Sequence, residues 1–164
     1  MNIKTTGIGI MIMLAMAVVW TGNDIRRAVL APKGFHIDPH DESRVALGRG
    51  LYASHCAACH GTALEGQPGW RHRRADGRLP APPHDETGHT WHHPDFVLFD
   101  MTRNGMVPGR TAPEGYESDM PAYAGILSDE EIISVLAYIK SNWSAEILAL
   151  QEEVNRNAWQ GGAR

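Results

Sequence analysis

The sequence has little cysteine, little excess charge and no clear strand pattern. Its only two cysteines lie three positions apart in 164 residues, so a disulfide framework of the kind that staples small secreted domains is excluded. The formal net charge of −4 gives no reason to expect a nucleic-acid partner. No segment alternates between apolar and polar residues, and no internal repeat stands out. Without a strand pattern, we expect a helical protein.

One long uncharged run is present, at the N-terminus. Residues 5–23 carry no charge, and 19 residues in a helix span about 28 Å, close to the roughly 30 Å hydrocarbon core of a bilayer. Residues 1–23 are therefore a signal peptide, cut after Ala17, or an N-terminal membrane anchor, which we favour. Either alternative predicts a periplasmic protein, and the anchor would attach it to the inner membrane. Residues 24–40 lack helical periodicity and are expected to form a tether.

Apolar spacing and capping signals predict helices after the tether. The clearest signal is Ser128 followed by Glu131, a capping box, with apolar residues at helical spacing behind it. Long Gly- and Pro-rich loops separate the helices, and such loops need a group that organises them. The predicted helices are approximately 41–55, 94–104, 128–142 and 144–159.

The chemistry-bearing motif is Cys56-Ala57-Ala58-Cys59-His60. In a C-x-x-C-H motif both thiols add to the vinyl groups of a haem, and the histidine coordinates the iron. A thioredoxin-like dithiol needs a preceding strand, and a structural zinc site needs four nitrogen or sulfur ligands where this motif supplies three. The motif therefore predicts one haem c attached through Cys56 and Cys59, with His60 as an axial ligand.

These motifs, in this order, resemble the class I (monohaem) c-type cytochromes over roughly residues 41–143. Gly48 and Tyr52 match the small-then-aromatic pair of that family's first helix, which packs against its last helix. Met120-Pro121 resembles the distal loop that supplies the second iron ligand. The resemblance implies an all-α cytochrome c fold of three to four helices around one covalently attached haem, with 144–164 as a C-terminal helical extension.

The resemblance also implies further roles. Met120 is the expected sixth ligand, with Met101 and Met106 as rivals, and a proline carbonyl, from Pro82 or Pro80, is expected to accept the N–H of His60. A His/Met-ligated, low-spin haem predicts a carrier of single electrons between redox partner proteins, rather than an enzyme.

Two other functions stay open. One is a haem enzyme that binds peroxide or a gas at an open distal site. The other is a copper-handling protein, although we favour a solvated loop for its histidines, which are His84, His89, His92 and His93. The basic stretch 70–74, with Arg78, is expected to be a solvated loop, or to neutralise haem propionates or attract an acidic partner.

Overall fold

The computed structural model describes residues 35–161, so the predictions for residues 1–23 and for the tether up to residue 34 lie outside the described residues. The described part contains five α-helices, one short 3₁₀ turn and no β-strand beyond two isolated bridges. None of these helices is long and apolar enough to cross a membrane. The prediction of an all-α fold is confirmed. The helices are α1 (Glu42–His55), α2 (Ala57–His60), α3 (Asp95–Asn104), α4 (Asp129–Ser141) and α5 (Ala145–Gly161), and the 3₁₀ turn is Thr90–His92.

The helices begin where the sequence supplies caps. The Asp41 carboxylate accepts hydrogen bonds from the backbone N–H groups of Ser43 and Arg44 at the start of α1. The predicted capping box is present at α4, where the Glu131 carboxylate accepts from Ser128 N at 2.8 Å and the Ser128 hydroxyl accepts from Glu131 N at 3.3 Å. Local side-chain chemistry therefore sets both helix starts.

Helices α1 and α4 cross at the centre of the fold. A Cβ atom on Gly48 would overlap the carbonyl oxygen of Ser134, so only glycine permits this approach of the two backbones. One turn later, the Tyr52 ring packs against Tyr138 with centroids 5.4 Å apart. The contact predicted for the Gly48 and Tyr52 pair is confirmed. It fixes the end of α1, from which the C-x-x-C-H segment continues.

A buried polar network connects α3, α4 and α5. The carboxylate of Asp95 is fully buried and accepts two hydrogen bonds from Lys140 Nζ, at 2.8 and 2.9 Å. It also accepts from Gln151 Nε2 on α5 and from Ile37 N, both at 2.8 Å. Ile37 is itself fully buried, so the C-terminal end of the predicted tether 24–40 packs against the core.

Candidate haem-binding site

The C-x-x-C-H motif lies at the junction of α1 and α2. Cys56 ends α1, and its carbonyl accepts from His60 N at 2.9 Å, so Cys59 and His60 lie on the single turn of α2. Both thiols are free, with Cys56 half-buried and Cys59 exposed. Burial raises the pKa of the Cys56 thiol to about 11. The motif thus presents two sulfur atoms about one helical turn apart, one half-buried and one exposed, beside one imidazole.

His60 is held in the state that a metal ligand requires. Its side chain is buried, and its Nδ1 donates a hydrogen bond of 2.9 Å to the carbonyl oxygen of Pro82. Burial lowers the pKa of His60, which favours the neutral imidazole. With the proton on Nδ1, the lone pair of Nε2 is available to a metal ion. Of the two prolines that the sequence left open, Pro82 is the one in contact.

Met120 lies in the loop between α3 and α4 and is half-buried. Three residues later, the Tyr123 hydroxyl donates to the carbonyl oxygen of His55 at 2.6 Å, which ties this loop to the residue before Cys56. Burial and the neighbouring Cys56 raise the pKa of Tyr123 to about 12, so its hydroxyl stays protonated as a donor. Sequence reasoning missed this anchor, although Tyr123 stands in the segment that carried the resemblance. The assignment of Met120 as an iron ligand stays a prediction.

The rival methionines have different surroundings. Met101 lies within α3, and Met106 follows Gly105, the residue that ends this helix. Both side chains are half-buried.

The histidine-rich segment does not form a metal centre. Its members have separate partners: His84 stacks on His60, His89 stacks on Trp70, and His92 stacks on Trp91. His93 meets His89 edge to face. Across residues 35–161, no three histidine, cysteine or carboxylate side chains come together in a way that could hold a metal ion.

The basic loop reaches the residue next to Met120. Arg74 and Arg78 both pair with the carboxylate of Asp119, in the second case through Nη1 at 2.7 Å. Nε of Arg78 is buried and has no hydrogen-bond partner within the described part of the chain. A carboxylate such as a haem propionate is a group that would satisfy this donor. Nothing in the sequence singled out Asp119, because a lone acidic residue in a loop carries no signal.

These residues fit a covalently bound haem. Two free thiols stand at the required spacing, a neutral imidazole has one nitrogen available, and the buried Nε of Arg78 has no hydrogen-bond partner within the described residues. Searches of curated proteins and of solved structures found no match. A comparison with protein families matches residues 45–143 to the family described as cytochrome c, which covers well over half of the chain. The chain therefore belongs to the cytochrome c family, and it is an electron-transfer haem protein with covalently attached haem c.

Proposed function

We propose that the protein is a periplasmic, membrane-anchored cytochrome that carries single electrons through one low-spin haem with His60 and Met120 as axial ligands. Cys56 and Cys59 are the proposed attachment points. The observation that carries the proposal is the hydrogen bond from His60 Nδ1 to the Pro82 carbonyl, because it leaves Nε2 free and fixes the ring of a buried, neutral histidine.

The haem iron, when bound, gains and loses one electron between its ferric and ferrous states. As a ligand of the iron, the thioether of Met120 would favour the ferrous state and raise the reduction potential relative to two nitrogen ligands. The hydrogen bond from Tyr123 to His55 restrains the loop that carries Met120. With His60 and Met120 both bound to the iron, no coordination position would be left for a substrate, which favours an electron carrier over an enzyme.

Replacing the proposed sixth ligand tests this function. We expect Met120→Ala to lose the methionine-to-iron charge-transfer band of the ferric protein and to bind carbon monoxide rapidly when reduced. Met106→Ala is the matched control, because Met106 is also a half-buried loop methionine between α3 and α4. Loss of the band in the control instead would assign Met106 as the ligand. A high-spin wild-type haem that binds carbon monoxide at once would favour the haem enzyme.

The proposed location rests on the uncharged run 5–23. We expect the haem protein in the inner-membrane fraction after alkaline washing, with its N-terminus still at the start of the sequence. A soluble periplasmic protein that begins near residue 18 would replace the anchor by a cleaved signal peptide. That result would leave the ligand assignment untouched.

A further inference from the structure

His84 is the residue of the histidine-rich segment whose position is fixed most completely. Its backbone N–H donates to the carbonyl oxygen of Leu64, and its own carbonyl accepts from Trp143 Nε1, both at 2.8 Å. A hydrogen bond of 2.9 Å joins its Nδ1 to the hydroxyl of Thr90. Three separate partners therefore hold the backbone and the ring of this one residue.

The conformation of Leu64 contributes to this arrangement. Leu64 is buried, and its φ of 70° is the single positive value among the non-glycine residues of the described part. A bulky side chain adopts this left-handed region only at a cost, so its surroundings must hold it there. In this conformation its carbonyl accepts from both His84 N and Asp85 N. Leu64 lies four positions after His60. Its carbonyl therefore holds the segment whose His84 ring covers His60.

The ring of His84 lies on the face of the His60 ring. Their centroids are 4.0 Å apart and the planes are inclined by 21°, which is a stacked pair. Tyr52 meets the edge of His84 at 6.4 Å. The Pro82 carbonyl, which holds His60 by its Nδ1, belongs to the same short segment as His84. One tripeptide thus contacts the His60 ring both along its edge and on its face.

We propose that His84 is a positioning residue, whose imidazole covers one face of His60 and, with the Pro82 carbonyl, fixes the orientation of the ligand plane about the iron–nitrogen bond. This inference rests on the proposed role of His60 as an axial ligand. The orientation of an axial imidazole determines how the unpaired spin of a ferric haem is distributed over the macrocycle. The haem-methyl proton shifts and the largest electron paramagnetic resonance g value report that distribution directly.

Two substitutions in the holoprotein distinguish the effect of a flat, stacking ring from the effect of side-chain volume alone. His84→Leu removes the ring and keeps an apolar side chain, whereas His84→Phe keeps a flat ring that can stack. His92→Leu is the control, because His92 stacks on Trp91 instead of His60. We expect a changed order or spread of the haem-methyl shifts and a displaced g value in His84→Leu, and wild-type patterns in His84→Phe and in the control.

A wild-type pattern in a folded, low-spin His84→Leu variant would overturn the proposal, as would a His84→Phe variant with the same displacement as His84→Leu. If His84→Leu yields no holoprotein, His84→Asn decides, since its amide keeps a hydrogen-bonding partner for the Thr90 hydroxyl but removes the stacked ring. Displaced shifts in His84→Asn then support the proposal, and unchanged shifts refute it. Failure of the proposed function is seen separately, because the wild-type protein would then lack a low-spin His/Met signature.

Discussion

The buried ion pair between Asp95 and Lys140 leads to a quantitative prediction for Asp95→Asn. The exposed fractions of the two side chains are 0% and 2%, and Lys140 Nζ bonds both carboxylate oxygens of Asp95. The amide keeps the shape but leaves a buried ammonium without its anion. Breaking one side of a buried pair typically destabilises a protein by about 3–5 kcal/mol.

The variant can limit this loss by releasing the proton from Lys140. Burial lowers the pKa of Lys140 already in the wild type, and Asp95 opposes that shift. Deprotonating a lysine at pH 7 costs about 4–5 kcal/mol, from about 1.36 kcal/mol per pKa unit, so this sets an upper limit on the charge penalty. We therefore expect Asp95→Asn to lower the free energy of unfolding by about 3–5 kcal/mol at pH 7.

The same reasoning gives the sign of the pH dependence. Between the lowered folded pKa of Lys140 and the unfolded value of about 10.4, the unfolded variant binds one more proton than the folded variant. Its free energy of unfolding should therefore rise with pH, by up to about 1.4 kcal/mol per unit, and more steeply than in the wild type. Unfolding measured at several pH values below about 10 follows this rise.

Urea unfolding of the holoprotein, followed by circular dichroism, measures these quantities. Asp129→Asn is the control, because Asp129 and its partner Arg103 form a surface pair, with exposed fractions of 62% and 42%, and such pairs contribute about 0–1 kcal/mol. Adding Lys140→Met to Asp95→Asn should recover part of the loss, because it removes the unpaired ammonium. Equal losses in Asp95→Asn and the control would refute the reasoning.

Two further substitutions test the helix crossing and the loop of Met120. In urea unfolding, Gly48→Ala should lower the free energy of unfolding by about 1–3 kcal/mol, because its Cβ would overlap the Ser134 carbonyl. Gly50→Ala is the control: a Cβ there meets no atom within 4 Å, so it should raise the free energy of unfolding by up to about 1 kcal/mol. If Met120 is the sixth ligand as proposed, Asp119→Asn should release the two arginines that pair with the neighbouring Asp119. Added imidazole should then displace Met120 at a lower concentration, as read from the charge-transfer band. The same surface control as above should leave this concentration unchanged.

The features that could be predicted from the sequence are encoded by residues close together in the chain. The C-x-x-C-H spacing fixes the order of thiols and imidazole within one turn, and Ser128 with Glu131 caps α4 through residues three positions apart. The Gly48 and Tyr52 pair was recognised through a family resemblance, and the structure supplies its reason in the overlap at Ser134. Each of these inferences needed only neighbouring residues or a known motif.

The remaining features depend on pairings between distant parts of the chain. Lys140 reads in the sequence as an ordinary charge in the last turn of a helix, and only its partner 45 positions away accounts for its burial. His84 reads as one of several histidines in a loop, and its proposed role rests on contacts with His60 and Trp143, which lie on opposite sides of it in the chain. Neither pairing leaves a periodic pattern that sequence analysis can detect.

The long loop between α2 and α3 also changes the interpretation of the C-terminal helix. The sequence predicts that a haem organises this loop, and Leu64 and Trp143 also hold its His84 through hydrogen bonds to the His84 backbone. Trp143 lies between α4 and α5, and Gln151 of α5 bonds the buried carboxylate of Asp95. The residues that connect and dock α5 therefore also support the stacked face of His60. If the proposed role of His84 is correct, disturbing this connection at Trp143 should alter the haem-methyl shifts without any change in the iron ligands.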